Sequence, residues 1–164
     1  MQKPAFYIEE LEKPIKNILL LFIITISLGY GFGMRYLYLT TEANPTTLES
    51  HYLGNEADEE AEVMKFKKTE KSILTFLHDH LFVIGILQWI ISLLLYFTKT
   101  NKKLKSFLIY EPFISLIVTF SGIYLLWKGV PGLQYIIMIS GTLFHLTFIF
   151  SLVLIGVKLL KSNS

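Results

Sequence analysis

LQYIIMISGTLFHLTFIFSLVLIGV, residues 133–157, is an unbroken apolar stretch without a single Asp, Glu, Lys or Arg. At about 1.5 Å of helix per residue, it is long enough to cross the ~30 Å hydrocarbon core of a bilayer. Three further apolar stretches of similar length occupy residues 15–36, 72–97 and 107–127. The sequence therefore predicts an all-α, integral membrane four-helix bundle that forms a single four-span domain over residues 1–164.

The composition supports this class of protein and excludes several kinds of chemistry. Of the 164 residues, 52% are hydrophobic, and the mean hydropathy is +0.52. The chain has no cysteine, which excludes disulfides, iron–sulfur clusters and covalent haem attachment through a Cys-x-x-Cys-His motif. A net charge of +2 does not indicate nucleic acid binding. Any metal site would have to use His, Asp, Glu or Met.

The basic residues predict the orientation of the bundle. Nine of the 15 fall on one side of the predicted spans: Lys3, Lys13, Lys16, Lys99, Lys102, Lys103, Lys105, Lys158 and Lys161. Because Lys and Arg are enriched in cytoplasmic segments, both termini are expected in the cytoplasm, and the membrane is expected to be a bacterial cytoplasmic membrane. The first stretch is longer than the apolar region of a signal peptide and lacks a small-x-small cleavage site after it, so we expect it to remain as a helix.

Residues 39–71 form the one sizeable polar segment, a predicted extracytoplasmic loop cap between helices 1 and 2. Asn44-Pro45 predicts the start of a short capped helix. Residues 55–71, acidic at first and basic at the end, are expected to form a second short helix, because this order of charges suits the helix dipole. About 30 residues are too few to bury an independent core, so the cap should be ordered by packing on the helix ends.

Three ionisable residues inside the second span, His78-Asp79-His80, are the clearest candidates for function. Such side chains are costly in lipid, which makes a functional site the default hypothesis. Residues i and i+2 lie about 200° apart on a helix, so the two imidazoles should have different neighbours. His78 shares a face with small and polar residues and is expected to point into the bundle, whereas His80 lies on a more apolar face. His145 places a further imidazole in the fourth span.

Residues at the outer end of the first span would complete a site in the outer half of the bundle. Gly29 and Gly33 form a small-xxx-small pair that would admit a neighbouring backbone or a flat macrocycle. Arg35 follows and is expected to pair with Asp79 or with haem propionates. Depth conflicts with a site shared by His145 and either His78 or His80. His145 lies about 20 Å above the predicted cytoplasmic end, whereas His80 lies about 28 Å and His78 about 31 Å above it. Interhelical hydrogen bonding through Ser or Thr is the alternative role for His145.

His51 is the one histidine in the predicted cap. Its simplest interpretation is a solvated loop residue. A folded cap could instead bring it to His78 and His80, which would give a three-histidine site suited to Zn or Cu, with Asp79 as a further ligand. Glu111, in Glu111-Pro112 near the start of the third span, is interpreted as mainly structural.

The general plan, with histidines on membrane-spanning helices, is similar to that of membrane b-type cytochromes. That resemblance implies haem b held by two of His78, His80 and His145, with electron transfer to a quinone or to other redox subunits. One alternative is a non-catalytic accessory or assembly subunit of a larger membrane complex. Another is a divalent-metal or proton-coupled transport site. The chain has no phosphate-binding loop and no His-Glu-x-x-His motif, so a stand-alone enzyme is not favoured.

Overall fold

The computed structural model describes residues 4, 6–56, 58, 60 and 63–161. Within these residues all regular secondary structure is helical, with no strand. After a short 3-10 helix, Ile8–Glu10, come α1 (Lys13–Thr41), α2 (Pro45–Leu53), α3 (Glu70–Tyr96), α4 (Lys102–Trp127) and α5 (Leu133–Leu160). The four long helices α1, α3, α4 and α5 are long and apolar enough to span a membrane. The predicted four-helix membrane bundle is confirmed.

Three of the spans, α3, α4 and α5, form the core of the bundle. The most extensive packing is between α4 and α5, and α1 lies at the periphery, mainly against α5. The best 18-residue window of α1 is only 6% buried, against 44% for α4. Gly122 allows α4 and α5 to approach closely, because a Cβ atom there would lie 2.9 Å from Ile137 Cγ1. Most of the surface of α1 is therefore available to lipid or to another protein.

The end of the bundle where α1 begins and α5 ends, here the terminal face, is covered by the 3-10 helix. Ile8 is almost fully buried, and its N–H donates to the Phe97 carbonyl at 2.9 Å. The Glu9 carboxylate accepts from the Lys99 N–H at 2.9 Å and lies 3.4 Å from Lys158 Nζ. Lys99 and Lys158, which the sequence suggested only as markers of orientation, thus hold the N-terminal segment in place.

At the opposite end, the loop face, α2 packs on the spans. The Asn44 side chain accepts from the Thr46 N–H at 2.9 Å and caps α2, as Asn44-Pro45 predicted. The second short helix predicted over residues 55–71 is wrong for the described residues, which stay non-helical until α3 begins at Glu70. The reason is local: the Asn55 side chain accepts from the Lys65 N–H at 2.5 Å and donates to the Val63 carbonyl at 3.0 Å, which holds an irregular loop together.

Candidate functional site

His78 and Asp79 lie on the outer surface of α3. Their side chains are 79% and 63% exposed, and His78 Nδ1 lies 3.2 Å from Asp79 Oδ1. The expectation that His78 points into the bundle is wrong. Leu77 lies in the buried stripe of α3, and the next residue along a helix is turned by about 100°. The His78 ring instead stacks on exposed Phe82, with ring centroids 6.2 Å apart.

His80 is the member of the triplet that approaches another helix. Its ring centroid lies 4.2 Å from that of Phe76 and 6.2 Å from that of Phe120 on α4. Its Nδ1–H is placed to donate to the Phe76 carbonyl at 3.0 Å. The predicted separation of the two imidazoles is confirmed, and His80 lies on an apolar face as expected, exposed and beside two phenylalanines; only the inward face assigned to His78 is wrong.

His145 joins α5 to α1 through a partner that the sequence did not suggest. His145 is half-buried, and its Nδ1 lies 2.8 Å from the hydroxyl of Tyr30. The interhelical hydrogen bond expected from Ser or Thr is therefore made by a tyrosine. A tyrosine flanked by glycines, in Gly29-Tyr30-Gly31, is the sequence signal that could have indicated this contact.

The structure does not bring Gly29, Gly33 and Arg35, the other predicted members of the outer site, together with the histidines into one site. A Cβ atom at Gly29 or Gly33 would have no neighbour within 4 Å, so no other helix of this bundle packs closely there. Arg35 lies 5.9 Å from the ring of Tyr38. Among the described residues, the ion pair of Asp79 is with His78, and the predicted pair with Arg35 is not formed.

His51 lies on α2, half-buried, beside a cavity of about 470 Å³ at the loop face. Burial lowers the pKa of His51, and the nearby Lys68 and Lys65 lower it further. Across the described part of the chain, no group of three or more His, Asp or Glu side chains could hold a metal ion. The three-histidine site expected from His51, His78 and His80 is therefore not formed by these residues.

A polar cluster lies between α4 and α5, around Glu111, which the sequence suggested to be mainly structural. Glu111 is only 7% exposed and sits nine residues into α4, about 14 Å along the helix. Its Oε1 accepts from the Ser115 hydroxyl, and its Oε2 lies 2.5 Å from Thr147 Oγ1 on α5. Ser115 and Thr147 are also buried. The most enclosed carboxylate of the spans thus lies toward the terminal face, whereas the predicted site was in the outer half.

Four apolar spans with polar groups enclosed between them define an integral membrane protein. Residues 42–164 match the model of a family described as a transmembrane helical domain. Because the match covers about three quarters of the chain, the protein belongs to this family. Neither the curated proteins nor the solved structures include a significant match.

Proposed function

We propose that the protein is a non-catalytic subunit of a larger membrane complex and that it binds a partner's membrane-spanning helix through the loop-side half of α3. The observation that supports this function is the outward exposure of His78 and Asp79 on a membrane-spanning helix. Among the alternatives raised by the sequence, an accessory subunit accounts most directly for polar groups on the outside of the bundle.

The depth of Asp79 makes exposure to lipid unfavourable. Asp79 lies nine residues after Glu70, about 14 Å along a helix that is about 40 Å long. If α3 is centred in a ~30 Å hydrocarbon core, Asp79 lies about 8 Å inside the boundary. Insertion of Asp costs about 2.5–3.5 kcal/mol at a helix centre, and its short side chain reaches water less easily than that of Lys. A partner helix that carries hydrogen-bond donors would remove much of this cost.

The peripheral position of α1 also supports a partner. Gly29, Gly31 and Gly33 leave the backbone of α1 open, with nothing within 4 Å of a Cβ atom built at any of them. Small residues are enriched where membrane helices pack closely. An additional helix beside α1 would use a surface on which this chain makes no contact of its own.

Site-specific photocrosslinking in native membranes tests the proposal. A photoreactive amino acid replaces Phe82, which is 64% exposed and stacks on His78. Leu146 on α5 is the matched control, because it is 61% exposed and lies at a similar depth from the loop face. Position 82 should give one protein adduct of discrete mass, and position 146 should give none.

The same experiment with Asp79→Leu separates a specific contact from proximity. If Asp79 is bound by the partner, the adduct from position 82 should fall at least about tenfold, since hydrogen bonds to charged groups contribute about 1.5–3 kcal/mol. Lipid adducts alone from both positions, unchanged by Asp79→Leu, would refute the proposal.

Haem b held by two of His78, His80 and His145 stays a prediction from the sequence, as do a Zn or Cu site that includes His51 and exchange of electrons with a quinone. A dithionite-reduced difference spectrum of the purified protein, together with metal analysis, tests these predictions. Replacement of each histidine by Ala would identify the ligands.

A further inference from the structure

Glu111 lines a cavity of about 670 Å³ on the surface of α4. The cavity follows one face of the helix from Lys102 to Ser115, about 20 Å, and is bounded on the α5 side by Leu143. It therefore runs from the terminal face into the membrane-spanning region, where Tyr110, Glu111 and Ser115 contribute polar groups.

At the inner end of the cavity, the hydrogen-bond capacity left on Glu111 is that of an acceptor. The Ser115 hydroxyl proton is donated to Glu111 Oε1. The Thr147 hydroxyl proton is also used inside the bundle, because Glu111 Oε2 and the Leu143 carbonyl lie 2.5 and 2.9 Å from Thr147 Oγ1. A carboxylate has about four acceptor positions, and these two hydroxyls occupy at most two of them. A ligand that complements Glu111 must therefore be a hydrogen-bond donor.

The other residues that line the cavity restrict the chemical class of the ligand that donates to Glu111. Lys102 and Lys103 line the end of the cavity at the terminal face, where they disfavour a cationic ligand such as an alkylammonium. Phe107 and Tyr110 are about half exposed and offer aromatic rings against which a flat ring can pack. A neutral, lipid-soluble aromatic molecule with a hydroxyl group fits these features.

We propose that this cavity binds a lipid-soluble hydroquinone, with one phenolic hydroxyl donating to the Glu111 carboxylate and the ring against Phe107 and Tyr110. The oxidised quinone carries carbonyl acceptors in place of the hydroxyls and has no proton to donate. The contact with Glu111 should therefore favour the reduced form. This binding site is independent of the partner surface on α3.

Calorimetric titration of the full chain in phosphatidylcholine nanodiscs, without oxygen, tests the proposal. The probes are decyl-hydroquinone and the corresponding oxidised decyl-quinone, which share the same alkyl chain and partition similarly into lipid. Saturable binding of the hydroquinone is expected, with the oxidised form at least about tenfold weaker, the ratio that corresponds to about 1.4 kcal/mol.

Two substitutions of Glu111 give different expected results. Glu111→Leu removes the acceptor and should weaken hydroquinone binding at least about tenfold. Glu111→Gln supplies an amide N–H that can donate to a quinone carbonyl, so the preference for the reduced form should shrink toward parity. Glu70→Gln is the control, because this exposed α3 carboxylate does not line the cavity.

Equal partitioning of both forms into wild type and Glu111→Leu would overturn the site. If dioctanoylglycerol binds tightly and with the same dependence on Glu111, the proposed hydroquinone ligand is wrong and the ligand of this cavity is a lipid alcohol. If Glu111→Leu fails to fold, the preference of the wild type for the reduced form and its loss in Glu111→Gln still decide the outcome.

Discussion

Substitution of Gly54 by Ala should open the loop cap while leaving the four spans intact. Gly54 ends α2 with φ +81° and ψ 177°, a backbone region that is essentially restricted to glycine and costs other residues about 1–3 kcal/mol. An Ala Cβ would also lie 2.6 Å from the Lys67 backbone nitrogen and 2.8 Å from the Lys65 carbonyl oxygen. Overpacking of this kind adds about 1–3 kcal/mol. We expect a total of about 3 kcal/mol, borne by the cap.

Hydrogen exchange of residues 45–56 and 63–68 in nanodiscs measures this effect. A loss of about 3 kcal/mol corresponds to exchange roughly a hundredfold faster in the cap. Gly132→Ala is the control, because Gly132 has the same φ of +81° but open space around a built Cβ atom, so it should cost only about 1–2 kcal/mol. Wild-type protection of the cap in Gly54→Ala would refute the reasoning, since both the backbone strain and the contact would then be absent.

Three further predictions concern single contacts. The pKa of His51 is lowered from 6.5 in the folded cap, so the unfolded cap binds protons more readily and cap stability should decline as the pH falls below about 6.5. Hydrogen exchange of the cap should therefore be faster at pH 5.5 than at pH 7.5 in the wild type. The difference should be smaller in His51→Gln. The hydrogen bond and ion pair of Glu10 with Lys99, at 2.6 Å, lower the pKa of Glu10 from 4.5. The stabilising effect of this ion pair should therefore be lost as the pH falls through the pKa of Glu10 in the folded protein. Lys99→Met should return the pKa of Glu10 toward 4.5 in an NMR titration, and an unchanged value would contradict the pairing. Tyr30→Phe removes the hydrogen bond to His145 and should cost about 0.6 kcal/mol in unfolding from micelles, whereas a cost above about 2 kcal/mol would indicate a larger role than a single interhelical bond.

Hydropathy was sufficient to predict the four spans, because each must be apolar over about 20 residues whatever its neighbours. It was not sufficient to predict which face of α3 is covered. His78 and Ser92 lie within about 40° of each other around the helix, yet Ser92 is buried and His78 is exposed. Helical periodicity shows which residues share a face, but the neighbours of that face change along the length of the helix.

The polar contacts between spans depend on register, which the sequence does not show. Thr147 meets Glu111, and Ser140 meets Thr119 at 2.7 Å, because the tight turn between α4 and α5 sets how the two helices align. The spacing of Glu111 and Ser115, one helical turn apart, was visible in the sequence. Its importance became clear only when Thr147, 36 residues later, was found beside it.

The closed terminal face has a consequence for the order of assembly in the membrane. Glu9 lies near the start of the chain, yet it lies beside Lys158, in the last turn of α5. The N-terminal segment therefore reaches its final position only after all four spans have been inserted. Ile8 and Glu9 can bond to Phe97 and Lys99 once α3 has been inserted, but the contact with Lys158 needs α5, so complete closure of this face should be the last step in the biogenesis of the bundle.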